Sequence, residues 1–120
     1  AAGAAGLAVL DEFQQKDIVG NAAKVGGYFK SRLLELQKKY PFIADVRGVG
    51  MMLAIELGEK DGRSGAELFS AICAKGLEKG LLLLGCGVHH NAIRFAAPLN
   101  STTAEIDEGL TVFDSILSEL

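Results

Sequence analysis

Two cysteines in 120 residues, Cys73 and Cys86, are too few for a disulfide framework. The chain reads as cytoplasmic, with both thiols free. Basic residues are also scarce: twelve Lys and Arg stand against fifteen Asp and Glu, for a net charge of −3. No basic face is implied, which argues against nucleic acid as a partner. No apolar run approaches the ~20 residues of a membrane span and nothing at the N-terminus resembles a signal peptide, so no membrane partner is expected. Complete phosphate loops are missing too. Gly48-Val49-Gly50 and Gly85-Cys86-Gly87 are two-glycine fragments that do not lead straight into a helix. No serine sits in a nucleophile elbow, and the acidic residues fall mostly on helix surfaces, so no catalytic residue is assigned. A regular strand cannot turn the adjacent His89 and His90 to one point, and Cys86 is the only soft ligand near them. They read as turn histidines, and no metal is expected.

What is present is the composition of an ordinary soluble globular chain, 49% hydrophobic and 22% charged. It is long enough for one domain, residues 1–120, with a core that needs no staples. The chain starts in mid-helix, without a capping residue or a methionine. Residues 1–14 therefore read as the end of a helix truncated from a longer parent. Its small side chains suit close packing, and its lack of charge before Asp11 argues for burial. Asp17 can cap a second helix, in which Ala22, Val25, Phe29, Leu33, Leu36 and Tyr40 form one apolar stripe up to Pro41. A strand begins at Ile43, Gly48–Gly50 permits a kink or bulge, and Met51–Leu57 alternates. Met51, Leu53, Ile55 and Leu57 then share a face. Gly58–Arg63 is a polar loop. Ser64 with Glu67 forms a capping box before a third helix that buries Leu68, Phe69, Ile72, Cys73 and Leu77 and stops near Gly80. Leu81–Leu84, apolar on both faces, reads as a covered central strand. Thr102 with Glu105 caps a last helix carrying Ile106, Leu110, Phe113, Leu117 and Leu120. The order helix, helix, strand, strand, helix, strand, strand, helix implies a small α/β (α+β) domain with a mostly antiparallel sheet covered by helices.

The stretch that could carry function is Gly85–Leu99. If Asn91–Phe95 is extended, Ile93 and Phe95 share one face while Ala92, Arg94 and Ala96 share the other. Arg94 then stands between small residues, where a planar guanidinium can grip a carboxylate through two parallel hydrogen bonds. Read from the residues alone, it can equally be an arginine on the solvent face of an edge strand.

Ordered blocks along the chain add a resemblance. They are the helix ending Leu7-Ala-Val-Leu10, Asn21-Ala-Ala-Lys-Val-Gly26 followed by Tyr28, and Val46-Arg-Gly-Val-Gly-Met-Met-Leu-Ala-Ile-Glu-Leu57. Next come Gly80–Gly85, and then Cys86-Gly87, Asn91-Ala-Ile-Arg-Phe95 and Pro98-Leu99. Together they resemble the C-terminal small domain of class III aminotransferases of fold type I, most closely the 4-aminobutyrate aminotransferase-like branch. The resemblance implies a parent enzyme that uses pyridoxal 5'-phosphate to move an amino group from an amino acid to a 2-oxo acid. It also implies a large cofactor-binding domain as partner and a homodimeric parent. In that family the arginine of the Asn-x-Ile-Arg strand binds a substrate carboxylate, and Arg94 is the matching position. His89-His90 and Ala97-Pro98 depart from the usual flanks of that site, which bears on substrate identity. Arg47 and Glu56 fall in a family-typical block and are assigned structural roles. No lysine here has the context of the family's cofactor lysine. The chain alone is therefore expected to bind no cofactor tightly and to catalyse no transfer. The alternative is a stand-alone carboxylate-binding or interaction module built on the same fold.

Overall fold

A computed structural model describes residues 1–120. The elements follow the expected order: α1 (Ala2–Gln15), α2 (Ile18–Lys39), β1 (Ile43–Val49), β2 (Met52–Leu57), α3 (Gly65–Glu78), β3 (Leu84–Cys86), β4 (Ala92–Ala96) and α4 (Thr103–Ser118). The strands form one antiparallel sheet in the order β1-β2-β4-β3.

Three helices start where side chains satisfy their first N–H groups. The Asp17 carboxylate accepts from Gly20 N at 3.0 Å. Ser64 with Glu67 and Thr102 with Glu105 close reciprocal capping boxes at α3 and α4. The apolar stripe of α2 packs on one face of the sheet, with Val25, Phe29 and Leu33 buried. Leu53, Ile55, Leu57 and Ile93 meet that stripe together with Leu68 and Ile72 of α3 and Ile106, Leu110, Phe113 and Leu117 of α4. Phe95 bridges the layers edge-on, 5.3 Å from the Phe29 ring and 5.6 Å from that of Phe113. Two polar clusters tie α2 to α4. Tyr28 and Arg32 both donate to Asp107, and Tyr40 and Lys39 both donate to Asp114, each at 2.7 Å.

Three local expectations need correction. The Gly48–Gly50 segment is not a kink within one strand. Gly50-Met51 is the turn of the β1–β2 hairpin, and the ladder irregularity lies earlier, between Ile43 and Asp45. Gly50 has a φ of +57°. Its carbonyl lies against α2 at Gly26, where an added Cβ would come within 2.2 Å of the oxygen. Leu81–Leu84 is not a central strand: only Leu84 enters β3, which is an edge strand, and Leu82 is 78% exposed. Leu77 is 73% exposed, because it points off the buried side of α3 and Gly76 takes the inner position instead. Within this chain none of α1 is buried, and Leu7 is 65% exposed. The helix packs lightly against α2, and Val9 and Phe13 border a shallow groove with Ile18 and Leu99. Its projection lengthens the molecule to 51 × 29 × 25 Å and raises the radius of gyration to 15.9 Å, against about 14 Å for a compact chain of this length.

Candidate functional site

β4 places Arg94, and two side-chain anchors place β4. At its start Asn91 donates through Nδ2 to the Leu57 carbonyl at 2.9 Å, while Leu57 N–H donates back to the Asn91 carbonyl at 2.8 Å. After its end, Asn21 of α2 donates to the carbonyls of Leu99 and Ser101, holding the segment that follows Pro98. Between the anchors, Ile93 pairs with Ile55 and Phe95 with Leu53, so both enter the core. Alternation then turns Arg94 to the face that no helix of this chain covers. β4 runs between β2 and β3, so the edge-strand reading of Arg94 does not hold: the arginine stands on an interior strand. The fit of β3 beside it depends on Gly85. A Cβ there would lie 2.3 Å from the Phe69 ring, so a larger residue would push the edge strand off β4.

Ladder register defines what surrounds Arg94. Across the sheet it lies in the row Arg47, Ala54, Arg94, Leu84. The row towards the start of β4 is Asp45, Glu56, Ala92, Cys86, and the row on the other side is Val49, Met52, Ala96. Alanines therefore occupy the cross-strand position at Ala54 and both same-face positions along β4. The guanidinium is exposed, and no ion pair engages it. Arg47, two strands or about 10 Å away, differs sharply. It holds Asp45 at 2.8 Å and Glu56 at 2.7 Å. Those hydrogen bonds, to Asp45 first and then Glu56, raise its pKa above the usual guanidinium value. One arginine on this face is doubly paired and the other is available.

A cavity of about 350 Å³ opens beside the last β3–β4 pair, lined mainly by Leu81, Leu83, Phe95, Ile106 and Leu110. Glu105 and Arg94 both border it, Arg94 from a strand whose alternation turns its side chain to the opposite, open face. The Glu105 carboxylate is already engaged by Thr102 N–H at 2.8 Å and the Thr102 hydroxyl at 2.9 Å. That bonding, backbone first, lowers its pKa. Residue patterns did not reveal Leu84 or the Arg47 row as neighbours of Arg94, because each arrives from another strand. His89 and His90 lie on an exposed turn between β3 and β4, with His90 at a φ of +52°, and Cys86 ends β3. The Arg94 site can bind an anion. No lysine stands on the open sheet face beside it, so these residues do not fit a pyridoxal phosphate site by themselves.

Comparison with known proteins agrees with this architecture. A family model described as aminotransferase class-III matches residues 1–117. A 5-aminovalerate aminotransferase of Pseudomonas putida is 39% identical over 118 residues, which is 98% of this chain. A 4-aminobutyrate aminotransferase of Escherichia coli is 40% identical over 118 residues, covering 96% of this chain. Each alignment takes in 28% of the relative, so the chain spans about 28% of the length of these curated relatives. Among solved structures, a phospholyase from Arthrobacter in complex with phosphoethanolamine superposes with a TM-score of 0.91 at 29% identity. That superposition covers 98% of this chain and 28% of the other. The chain belongs to the class III aminotransferase family.

Proposed function

We propose that this chain is the C-terminal small domain of a pyridoxal-phosphate-dependent aminotransferase, and that Arg94 binds the carboxylate of its amino acid or 2-oxo acid substrate. The observation that carries the reading is an unpaired guanidinium held on an interior strand, flanked by alanines. The 4-aminobutyrate and 5-aminovalerate aminotransferases among its relatives support an amino donor with a carboxylate remote from the amino group. Pyridoxal phosphate would supply the electron sink for the transfer, and its lysine and phosphate contacts would come from the large domain. Residues of this chain bind and orient. Arg94 fixes the carboxylate end of the substrate, the alanines leave room for it, and Asn91 keeps the strand in register.

The test is kinetic and uses the full-length enzyme. Arg94→Lys keeps the charge but loses the planar fork. It should reduce kcat/KM for a carboxylate-bearing donor by roughly one to two powers of ten, the scale of a lost charge-assisted hydrogen bond of ~1.5–3 kcal/mol. Arg94→Ala should cost more, and an amine donor without a carboxylate should be affected little. Equal losses for both donors would reject the role given to Arg94.

A further inference from the structure

The cavity beside β3 lies on the other side of the sheet from the Arg94 side chain and takes no part in the function proposed above. Two features of the sequence leave it open. β3 is only three residues long, so residues 81–83 approach the sheet without pairing. They are tied instead to the end of α3, where Leu81 N–H donates to the Gly76 carbonyl at 2.7 Å. On the other wall α4 carries Gly109, and a Cβ added there would meet nothing within 4 Å. Glycine disfavours a helix interior, so neither packing nor propensity accounts for it. Phe95 set edge-on against the buried Phe113 makes the floor, and Ile106 and Leu110 line the α4 side. The volume of about 350 Å³ falls within the range of small-molecule pockets. At ~30 Å³ each it holds roughly ten non-hydrogen atoms.

One charged group serves this apolar space. Glu105 precedes Gly109 by one helical turn and borders the cavity from the same side of α4. Thr102 N–H and the Thr102 hydroxyl both donate to its Oε2, and neither bond uses Oε1. Arg94 turns to the opposite face, so the mouth presents one ionised carboxylate and no cation. We propose that the cavity binds small apolar amines, with the aliphatic tail among Phe95, Ile106 and Leu110 and the ammonium on Glu105 Oε1. An acid at the mouth repels carboxylates, which separates this site from the anion site at Arg94 in chemistry as well as in place. The two lie on opposite faces of β4, and the amine site does not depend on the role given to Arg94.

The experiment titrates the cofactor-loaded, full-length enzyme with N,N-dimethylhexylamine and follows the heat of binding. A tertiary amine cannot condense with the cofactor aldehyde, so the signal reports binding alone. The expected Kd is about 1 mM or below, the scale for a ligand of about nine non-hydrogen atoms in an apolar pocket. Hexanoate should bind roughly tenfold more weakly or worse, since its carboxylate would meet that of Glu105. Glu105→Gln keeps the capping box but removes the charge, and should weaken the amine about fivefold. Gly109→Leu fills the cavity and should weaken it by roughly tenfold or more, while the Tm without ligand does not fall, because leucine suits a helix. Excess glutarate, which takes carboxylate sites, should leave the amine Kd within about twofold, as separate sites do not couple. Equal affinity for amine and hexanoate, an unchanged Kd in Glu105→Gln, or no binding at all would overturn the proposal. Full binding by Gly109→Leu would do the same, and so would displacement by glutarate, which puts the amine in the catalytic site. Should Gly109→Leu fail to fold, Gly109→Ala should show a smaller loss of the same sign, and undiminished binding there would count equally against the cavity.

Discussion

Adjacent glycines on α2 should respond to the same substitution with opposite signs. Gly26 faces the β1–β2 turn, and a Cβ there would lie 2.2 Å from the Gly50 oxygen and 2.3 Å from its carbonyl carbon. Ordinary contact begins near 3.4 Å, so α2 and the turn must separate by about 1 Å, and both contacted atoms are backbone. Such overpacking costs ~1–3 kcal/mol, against which better helix propensity returns ~1 kcal/mol. Because a two-residue turn yields poorly, Gly26→Ala should lose ~1–2 kcal/mol net, lowering Tm by roughly 4–8 °C. Gly27, one position on, has nothing within 4 Å of its added Cβ. Gly27→Ala should therefore keep the full propensity gain, up to ~1 kcal/mol, and raise Tm by about 4 °C. Urea and thermal unfolding of the two variants beside wild type give the answer. If Gly26→Ala proves as stable as Gly27→Ala, the packing of α2 on the hairpin turn is wrong.

Other predictions concern the caps, the anchors and acid stability. Thr102→Ala removes the hydroxyl that accepts Glu105 N–H at 3.2 Å and should cost ~1 kcal/mol by urea unfolding. Asn91→Ala removes the bond to the Leu57 carbonyl and should cost a similar ~1 kcal/mol. Its further signature is a lower kcat/KM for carboxylate donors in the full-length enzyme, since it loosens the strand that carries Arg94. Glu119 bonds Lys75 and Lys79, and those hydrogen bonds, Lys75 first, hold its pKa down at about 2 from an ordinary 4.5. The sign follows from linkage: the contribution is fully present above the unfolded value and is lost as pH falls from about 4.5 towards 2. Stability curves of wild type and Glu119→Gln should therefore converge across that window. The gap between them should also shrink in high salt, because the site is exposed.

Local signals were legible wherever adjacent residues decide the outcome. Both capping boxes, the Asp17 cap, the α2 stripe and the alternation of Met51–Leu57 follow from contacts within one turn or one strand. The two faces of β4 were readable for the same reason, which put Arg94 opposite the Ile93 and Phe95 side before any pairing was known. What could not be read was lateral. Four leucines describe a covered strand and an edge segment equally well, and only the β3–β4 pairing places Leu84 at the sheet edge. Gly48-Val49-Gly50 suits a bulge or a hairpin turn, and the choice depends on α2 arriving at Gly26. The Arg47–Glu56 pair and the difference between a paired and a free arginine depend on register across three strands. No single segment contains that information.

The central claim is that Arg94 holds a substrate carboxylate, and the most direct measurement is a crystal structure of the full-length enzyme with a dicarboxylate substrate analogue bound. The account predicts a bidentate contact, with Arg94 nitrogens about 2.7–2.9 Å from the two oxygens of one carboxylate. It also predicts Glu56 still turned to Arg47. A carboxylate bound by other groups, with Arg94 left in solvent or paired to a protein acid, would contradict it.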